Sequence, residues 1–393
     1  MARRLRAAVI GTGFVGRQHV EALRRIGVEV VVVAASEEAT AVAAARSLGV
    51  ARGTAAWQTA VADPDVDVVH VCVPNDLHRD VSMAAIRAGK HVVCEKPLAI
   101  DLADGLALAE ASERSGRVTV LCHNYRYYTM VAELRLRVRD GALGALHAVR
   151  GAYLQDWLLS PRSTNWRVDA ARGGPSRAIA DIGSHWIDLA ETVTDRRVES
   201  VFAQLGTVHG RRPGPGHVAT FSSTDDGEGP WLDVTTEDQA ALLLRFQGGL
   251  QGSVVLSQVA AGHKNDLELS IDGGYGSATG RQERPDELVI GGASTTESVA
   301  RTATDLTPGV QHRTRLPAGH PEGWADALRN LLSVAYAEIQ GTEPVPAEPP
   351  LPTFADGVRH LALADAALRS AAEERWVSIE EVLASQTSRE EVS

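Results

Sequence analysis

Cysteine is scarce in this sequence, which has 393 residues and only three thiols, at Cys72, Cys94 and Cys122. The three cysteines form no CxxC pair, and the neighbouring histidines have no HxxxH spacing, so the sequence predicts no metal site. Each cysteine ends a short apolar run. This position favours a small buried side chain at the end of a strand.

Long apolar runs are also absent. No stretch approaches the roughly 18 residues that a membrane-spanning helix needs, so we expect no membrane partner. The opening "MARRLRAAVIGTGFVG" places arginines before an apolar run, as a signal peptide does, but the run is short and contains a glycine motif. We therefore expect a cytoplasmic protein.

The sequence has no cluster of Lys and Arg interleaved with aromatic residues. Its 39 basic and 50 acidic residues give a formal net charge of −11. An acidic chain without a basic patch is a poor ligand for a phosphate backbone, so we expect no nucleic-acid partner.

The hydrophobic content is high, at 44% of 393 residues, which is more than one core usually absorbs. We therefore predict two domains, residues 1–123 and 124–393. In the first, short β-branched runs alternate with longer helical stretches, a pattern typical of a parallel sheet covered by helices. The strands we predict there are "RAAVI", "VEVVVVA", "DVVHVCV", "HVVCE" and "VTVLC".

The pattern changes beyond residue 130. A helix, a strand at "LHAVRGAYL" and a helix near 184–194 precede several alternating strands, which predict an α+β domain on an open, mostly antiparallel sheet. The Gly/Pro-rich segment 206–230 is predicted as a mobile loop. The connector "GTEPVPAEPPLP" separates two late helices predicted at 323–340 and 353–373.

The first predicted strand is followed directly by "GTGFVG", which places Gly11, Gly13 and Gly16 in a GxGxxG pattern around Phe14 and Val15. In a strand–turn–helix context these glycines let the backbone turn tightly and approach a pyrophosphate at the start of a helix. The alternative is a structural glycine turn. The position at the head of an α/β unit favours a dinucleotide site.

The second predicted strand ends without the acidic residue that usually binds the adenosine ribose. Ala35 occupies that position, and its neighbour Ser36 could bond a ribose hydroxyl or a 2′-phosphate. No Arg lies within 34–39, and Glu37 and Glu38 would repel a phosphate. The sequence favours NAD as the cofactor and leaves NADP open.

Polar clusters follow three other strands, at "VPNDLH", "CEKP" and "CHNYRYY". Ligands of open α/β sheets bind outside the carboxyl ends of the strands, so we expect these clusters to form one site. The cofactor contacts predicted here are Val73, Pro74, Asn75, His78, Glu95 and Lys96. Asn75 could instead cap the following helix.

Together with "ADIGSHWID", these motifs resemble the glucose-fructose oxidoreductase / inositol dehydrogenase (Gfo/Idh/MocA) family over nearly the whole chain. The resemblance implies a Rossmann domain joined to an open-sheet domain, and hydride transfer between a nicotinamide and a sugar or cyclitol hydroxyl. It also implies that Lys96 faces both nicotinamide and substrate and that Glu95 contacts the cofactor's ribose region. His185, with Asp181 near it, would handle the substrate proton.

The chemistry calls for the same groups independently. Oxidation of a secondary alcohol needs a base for the hydroxyl proton, for which His185 is suited, and a cation such as Lys96 to stabilise the developing alkoxide. Asp181 lies four residues before His185, on the same side of a helix start. The alternatives are a helix-capping Asp181 beside a packed His185, and a surface Lys96 paired with Glu95.

Candidate substrate contacts precede the His185 motif and follow the predicted strand "VTVLC". Sugar sites combine flat aromatic faces with convergent polar groups. On that basis we predict substrate contacts at Gln155, Asp156, Trp166, Arg167, Arg126 and Tyr127, with Trp157 as a further candidate. The alternatives are tryptophans in the core and a buried Tyr127 beside a surface Arg126.

The leading hypothesis is an NAD(P)-dependent dehydrogenase acting on a sugar or glycoside. The "QDW" and "NWR" segments resemble members that oxidise the 3-hydroxyl of glucose-type rings. An inositol dehydrogenase is the nearest alternative, and a non-catalytic nucleotide- or sugar-sensing regulator is the alternative of another class. An open sheet face usually needs covering, so we expect a homodimer or homotetramer.

Overall fold

The computed structural model describes residues 4–214, 229–302, 304, 306–342 and 349–390. The first sheet is built from strands β1 Arg6–Ile10, β2 Glu29–Ala34, β3 Arg52–Thr54, β4 Val68–Val71, β5 His91–Cys94 and β6 Thr119–Leu121. Its helices are α1 Phe14–Arg25, α2 Glu38–Leu48, α3 Trp57–Ala62, α4 His78–Arg87 and α5 Leu102–Ser115.

All six strands of this sheet run parallel, in the order β3-β2-β1-β4-β5-β6. The four residues of β4 are all buried, as expected for a strand that helices cover on both faces. The strand order reverses between β1 and β4, and a crevice opens at that point beyond the strands' carboxyl ends. This architecture confirms the predicted Rossmann domain.

The second sheet is built from strands β7 Leu146–Leu154, β8 Val198–Gly206, β11 Gln239–Phe246, β12 Gln251–Ser257, β13 Asp266–Gly273, β14 Ser277–Arg281, β15 Arg284–Gly291, β16 Thr296–Ala300 and β17 Val377–Ser378. Strands β9 Arg211–Pro213 and β10 Trp231–Asp233 pair separately. The helices are α6 Thr129–Arg139, α7 Ala170–Gly173, α8 Ser184–Thr194, α9 Trp324–Ile339, α10 Phe354–Glu373 and α11 Ile379–Glu390.

The nine strands follow the order β16-β15-β14-β13-β7-β12-β11-β8-β17. Among the described pairs, β7 and β12 run parallel and the others antiparallel. Strand β11 alternates exposed and buried residues along its whole length, so one face of the sheet packs on helices and the other is open. The predicted open, mostly antiparallel sheet is confirmed.

Helix α9 returns to the first sheet. Its Leu328, Leu331 and Ala335 join the same apolar cluster as Val9 of β1 and Val33 of β2. A helix from late in the sequence therefore helps to cover the N-terminal sheet. The division at residues 123 and 124 stays a prediction.

The predicted strands and helices of the first domain are confirmed, as are the helices near 184–194, 323–340 and 353–373. The sequence did not reveal β3 or α3, which are short and half exposed. The predicted loop 206–230 is wrong at Arg211–Pro213, which form strand β9 paired with β10, and its residues 215–228 lie outside the described residues. Residues 343–348 of the proline-rich connector also lie outside the described residues. None of the described helices is long and apolar enough to cross a membrane.

Candidate active site

The glycine motif forms a tight turn between β1 and α1. Gly11 has a φ of 104°, and a Cβ there would lie 2.2 Å from the carbonyl oxygen of Cys72. A Cβ on Gly16 would lie 1.9 Å from the carbonyl oxygen of Gly11. A Cβ on Gly13, in contrast, would have no neighbour within 4 Å, so the open side of the turn leaves room for a phosphate at the start of α1. The residues fit a dinucleotide.

The predicted cofactor residues line one cleft at this edge of the sheet, with Gly16 packed behind it. The lining includes Gly11, Gly13, Phe14, Val15, Ala35, Ser36, Val73, Pro74, Asn75, His78, Glu95 and Lys96. Trp166 and Arg167, which were predicted to contact substrate, line the same cleft. The structure therefore assembles residues from four strand ends and from the second domain around one elongated site.

The side chains of His78 and Asn75 form hydrogen bonds with backbone carbonyl oxygens of the protein. The ring nitrogens of His78 lie 2.6 Å from the carbonyl oxygen of Pro97 and 3.0 Å from that of Val73, and burial lowers the pKa of this histidine. Asn75 donates a 3.0 Å hydrogen bond from Nδ2 to the carbonyl oxygen of Gly173. Both side chains hold the strand-end turns that shape the cleft.

Lys96 contacts Asp181 across the domain boundary. Its Nζ lies 2.7 Å from Oδ1 of Asp181 and 2.9 Å from the carbonyl oxygen of the same residue. Gln258 donates to Oδ2 at 2.9 Å, and Nε of Arg167 lies 3.4 Å from Oδ1. Burial raises the pKa of Asp181, but the charges of Lys96 and Arg167 outweigh it and lower the pKa to about 2. The carboxylate is therefore ionised and orients the Lys96 ammonium.

Asp181 lies in a π-helical turn, Ile179–Gly183, that runs directly into α8. A π-helical turn places five residues where an α-helix places four, and such turns are frequent at functional sites. Asp181 and His185 both line the cleft that adjoins the cofactor cleft. The predicted juxtaposition of these two residues is therefore present.

His185 is enclosed by aromatic rings. It stacks on Tyr125 with ring centroids 3.9 Å apart and meets the edge of His123 at 5.4 Å. Its Nδ1 is buried and makes no hydrogen bond within the described part of the chain. Burial, followed by the charge of Lys96, lowers the pKa of His185 well below 6.5. The ring is neutral near pH 7 and can accept a proton.

A buried polar cluster lies behind His185. Nε2 of His123 is 3.1 Å from Nδ1 of His360, and Nε2 of His360 is 3.7 Å from Oδ1 of Asp188. Burial lowers the pKa of His123 to about 3 and that of His360 to about 4. The cluster therefore adds no positive charge from histidine near the candidate base.

Arg126 and Tyr127 do not face the cleft, which differs from the sequence-based expectation. Arg126 is buried and donates from Nε and Nη2 to the two oxygens of Asp188, at 2.7 and 2.5 Å. The Tyr127 hydroxyl lies 3.3 Å from the carbonyl oxygen of Pro349. Because the 3₁₀ turn Asn124–Tyr127 rotates successive side chains by about a third of a turn, Tyr125 faces the cleft and the next two residues do not.

Hydroxyl-binding groups that the sequence did not reveal lie on the other wall. Tyr125 and Tyr153 share a 2.8 Å hydrogen bond between their hydroxyls, and Tyr153 is 2.5 Å from Oδ1 of Asn265. Gln155, which was predicted, donates to the same oxygen at 3.1 Å. These four side chains line the cleft. The position of Tyr125 in the polar, tyrosine-rich segment "CHNYRYY" after a strand could have indicated a site residue. The sequence around Asn265 contains no pattern that indicates one.

Asp156 and Trp157 support this wall from behind. Asp156 accepts from Nζ of Lys264 at 2.7 Å, and it is Lys264 that lines the cleft. Trp157 donates from Nε1 to Oε1 of Gln155 at 2.9 Å. Trp324, at the start of α9, lines the cleft beside Phe14, with ring centroids 5.8 Å apart. Trp324 was not predicted from the sequence.

The parallel sheet carries a glycine turn and a cofactor cleft, and a second cleft shares Lys96 with the first. This arrangement is typical of NAD-dependent dehydrogenases. Residues 5–123 match the oxidoreductase family with an NAD-binding Rossmann fold, and residues 131–279 match the GFO/IDH/MocA C-terminal domain. The chain belongs to the GFO/IDH/MocA family of oxidoreductases. The resemblance stated from the motifs is confirmed, as is NAD as cofactor.

Two relatives of known activity match over almost their full length. Levoglucosan dehydrogenase of Pseudarthrobacter phenanthrenivorans is 32% identical, over 97% of this chain and 99% of the relative. Myo-inositol 2-dehydrogenase of Thermotoga maritima is 27% identical, over 96% of this chain and 100% of the relative. A solved levoglucosan dehydrogenase in complex with NADH and L-sorbose superposes with a TM-score of 0.86, at 30% identity over 96% of this chain and 100% of that chain.

Proposed function

We propose that this enzyme oxidises a secondary hydroxyl of a neutral sugar or glycoside, with NAD as hydride acceptor. The observation that carries the proposal is the shared wall of the two clefts. Phe14, Val15, Glu95, Lys96 and Arg167 line both the glycine-turn cleft and the cleft that contains His185. A substrate in the second cleft would lie beside the end of the cofactor that reaches Lys96.

The proton and the hydride leave the substrate along different routes. The nicotinamide, when bound, supplies the acceptor for the hydride from the carbinol carbon. His185, neutral because of its lowered pKa, takes the hydroxyl proton as the carbon–oxygen double bond forms. Lys96, oriented by Asp181, stabilises the negative charge that develops on the substrate oxygen.

The charge of the cleft supports a neutral substrate. Each cation that lines it within the described residues has a carboxylate partner: Lys96 and Arg167 contact Asp181, and Lys264 contacts Asp156. A phosphate or carboxylate on the substrate would have to displace one of these pairs. Hydroxyls, in contrast, suit the amide and phenol groups of Gln155, Asn265 and Tyr153.

The relatives support a glucose-type ring. Of the two whole-length relatives, levoglucosan dehydrogenase has the higher identity, and the "QDW" and "NWR" segments carry Gln155 and Arg167 into the clefts. Because these segments resemble those of members that oxidise the 3-hydroxyl of glucose-type rings, we propose that hydroxyl as the position of oxidation. The whole-length match to a myo-inositol 2-dehydrogenase makes a cyclitol the second candidate.

The proposal is tested by offering the purified protein NAD or NADP with levoglucosan, methyl glucosides, free hexoses and inositols, and measuring reduced nicotinamide. We expect NAD reduction with a glucose-type ring and faster turnover than with any inositol. A Lys96→Met preparation serves as the control for contaminating dehydrogenases. Binding of NAD without turnover of any compound would contradict the proposal and support the regulator alternative.

We also propose that a second copy of the chain covers the outer face of the nine-stranded sheet. Leu243 of β11 and Val255 of β12 are 51% and 52% exposed on this face, and Leu243 pairs with Phe202 of β8. Large apolar side chains exposed on an open sheet face favour pairing with the same face of a second copy. The cytoplasmic location stays a prediction.

A further inference from the structure

A buried series of hydrogen bonds runs from the cofactor cleft to helix α9. Oε1 of Glu95 lies 3.0 Å from Nε2 of His19, and Nδ1 of His19 lies 2.8 Å from Nδ1 of His70. Nε2 of His70 then lies 3.0 Å from the hydroxyl of Tyr336. Both histidines are completely buried, and Tyr336 is 4% exposed. We call these four residues the Glu95 relay.

The protonation state of Glu95, at one end of the relay, sets the donor and acceptor in every hydrogen bond of the relay. A neutral imidazole has one N–H donor and one acceptor nitrogen, so each ring passes the direction on. If Glu95 is ionised, it accepts from Nε2–H of His19, whose Nδ1 accepts from Nδ1–H of His70. Nε2 of His70 then accepts from the Tyr336 hydroxyl. The reverse direction requires a protonated Glu95 and leaves the Tyr336 hydroxyl proton unused within the relay.

The electrostatic surroundings select the first direction. Burial raises the pKa of Glu95, but the hydrogen bond from His19, followed by the hydrogen bond from Cys122 and the charge of Lys96, acts against it, and the pKa lies below its usual value. Burial lowers the pKa of His70 well below 6.5 and raises that of Tyr336 well above 10. The other titratable or charged groups that act on Glu95 are Cys72, His78, Cys94, Lys96, Cys122 and His123.

We propose that His19, His70 and Tyr336 are positioning residues that keep Glu95 an ionised hydrogen-bond acceptor for the bound cofactor. Oε1 of Glu95 is used within the relay, and Oε2, 3.3 Å from the backbone nitrogen of Lys96, is the oxygen available to a cofactor hydroxyl. Tyr336 and Glu95 are 241 positions apart in the sequence, and neither His70 nor Tyr336 lines the cleft. Tyr336 of α9 therefore takes part in cofactor binding from a position outside both clefts.

The first test measures the NADH dissociation constant by fluorescence between pH 4.5 and 8 for the wild type, Tyr336→Phe and His70→Leu. We expect NADH binding to weaken about fivefold in both variants, because His19 then loses the support that keeps its Nε2–H directed at the Glu95 carboxylate. The pH at which binding falls to half should also move upward, because Glu95 then protonates more easily. His91→Leu is the matched control on the adjacent strand, since its ring accepts a hydrogen bond from the backbone N–H of Val118 and is not part of the relay.

The second test is a ¹⁵N NMR measurement of the imidazole tautomers in the wild type. The relay predicts a proton on Nε2 of His19 and on Nδ1 of His70. The opposite tautomers, or an unchanged pH dependence of NADH binding in Tyr336→Phe, would overturn the proposal even if His70→Leu does not fold. Neither test uses a substrate, so failure of the sugar assay would leave this proposal standing.

Discussion

The Nζ of Lys96 lies 2.7 Å from Oδ1 of Asp181, and this ion pair joins the two domains where the two clefts share the Lys96 side chain. Lys96 follows β5 of the first sheet, and Asp181 precedes α8 of the second domain. Both side chains are more than four-fifths buried. A pair at this depth resists screening by salt, so it fixes the position of the ammonium where the substrate oxygen is expected.

Replacement of Lys96 by Met should lower kcat on the order of 10²-fold or more, because the cation that stabilises the alkoxide is lost. NADH binding should change little, since the glycine turn and Glu95 remain. Steady-state kinetics and NADH titration measure the two effects. Lys90→Met is the control, since Nζ of Lys90 donates to the carbonyl oxygens of Asp63 and Val66 and lines neither cleft. A Lys96→Met enzyme with full turnover would remove the residue from the mechanism.

The pH dependence should report His185. Because the pKa of His185 lies well below 6.5, the ring is still neutral at pH 6.5. The value of kcat/KM should therefore decline only at more acidic pH, where the ring takes up a proton. His185→Gln should lose on the order of 10²-fold in kcat and also lose this acidic decline. His147→Gln, an exposed histidine on β7, should behave as the wild type. An acidic midpoint above 6.5 would contradict the assignment of His185 as base.

The choice of cofactor should respond to position 36. Ser36 is exposed at the adenosine end of the cleft, and Ser36→Arg would place a guanidinium where the 2′-phosphate of NADP is expected. We expect the ratio of kcat/KM for NADP to that for NAD to rise about tenfold. Ser47→Arg adds the same charge on the exposed side of α2 and should leave the ratio unchanged. An equal rise in both variants would show a general charge effect.

The oligomeric state should depend on the outer face of the second sheet. Val255→Lys should convert the assembly to a smaller species in light scattering coupled to size-exclusion chromatography, because a buried lysine would lack a partner. Val42→Lys on α2 is a closely matched control, since Val42 is 53% exposed and Val255 is 52% exposed. A monomeric wild type would contradict the proposed assembly.

Local patterns predicted the parts of the fold and site that single segments encode. The pattern of apolar residues and the motif spacing were enough to predict the strand ends at Asn75 and Lys96 and the helix start at His185. The orientation of Arg126 did not, because a 3₁₀ turn can present any of its residues to a cleft. The partnership of His70 with Tyr336 joins residues 266 positions apart, and no local pattern encodes such a contact. Helix α9 was predicted, but its packing on the first sheet depends on tertiary structure.

The most direct test of the account is hydride transfer from a defined carbon. Levoglucosan that carries deuterium at C3 is incubated with the enzyme and NAD, and the reduced cofactor is examined by mass spectrometry. We expect NADH one mass unit heavier than from unlabelled sugar, and slower turnover if hydride transfer limits the rate. Reduced cofactor without deuterium would contradict oxidation at the 3-hydroxyl, and no reduced cofactor with any ring sugar would contradict the proposed activity itself.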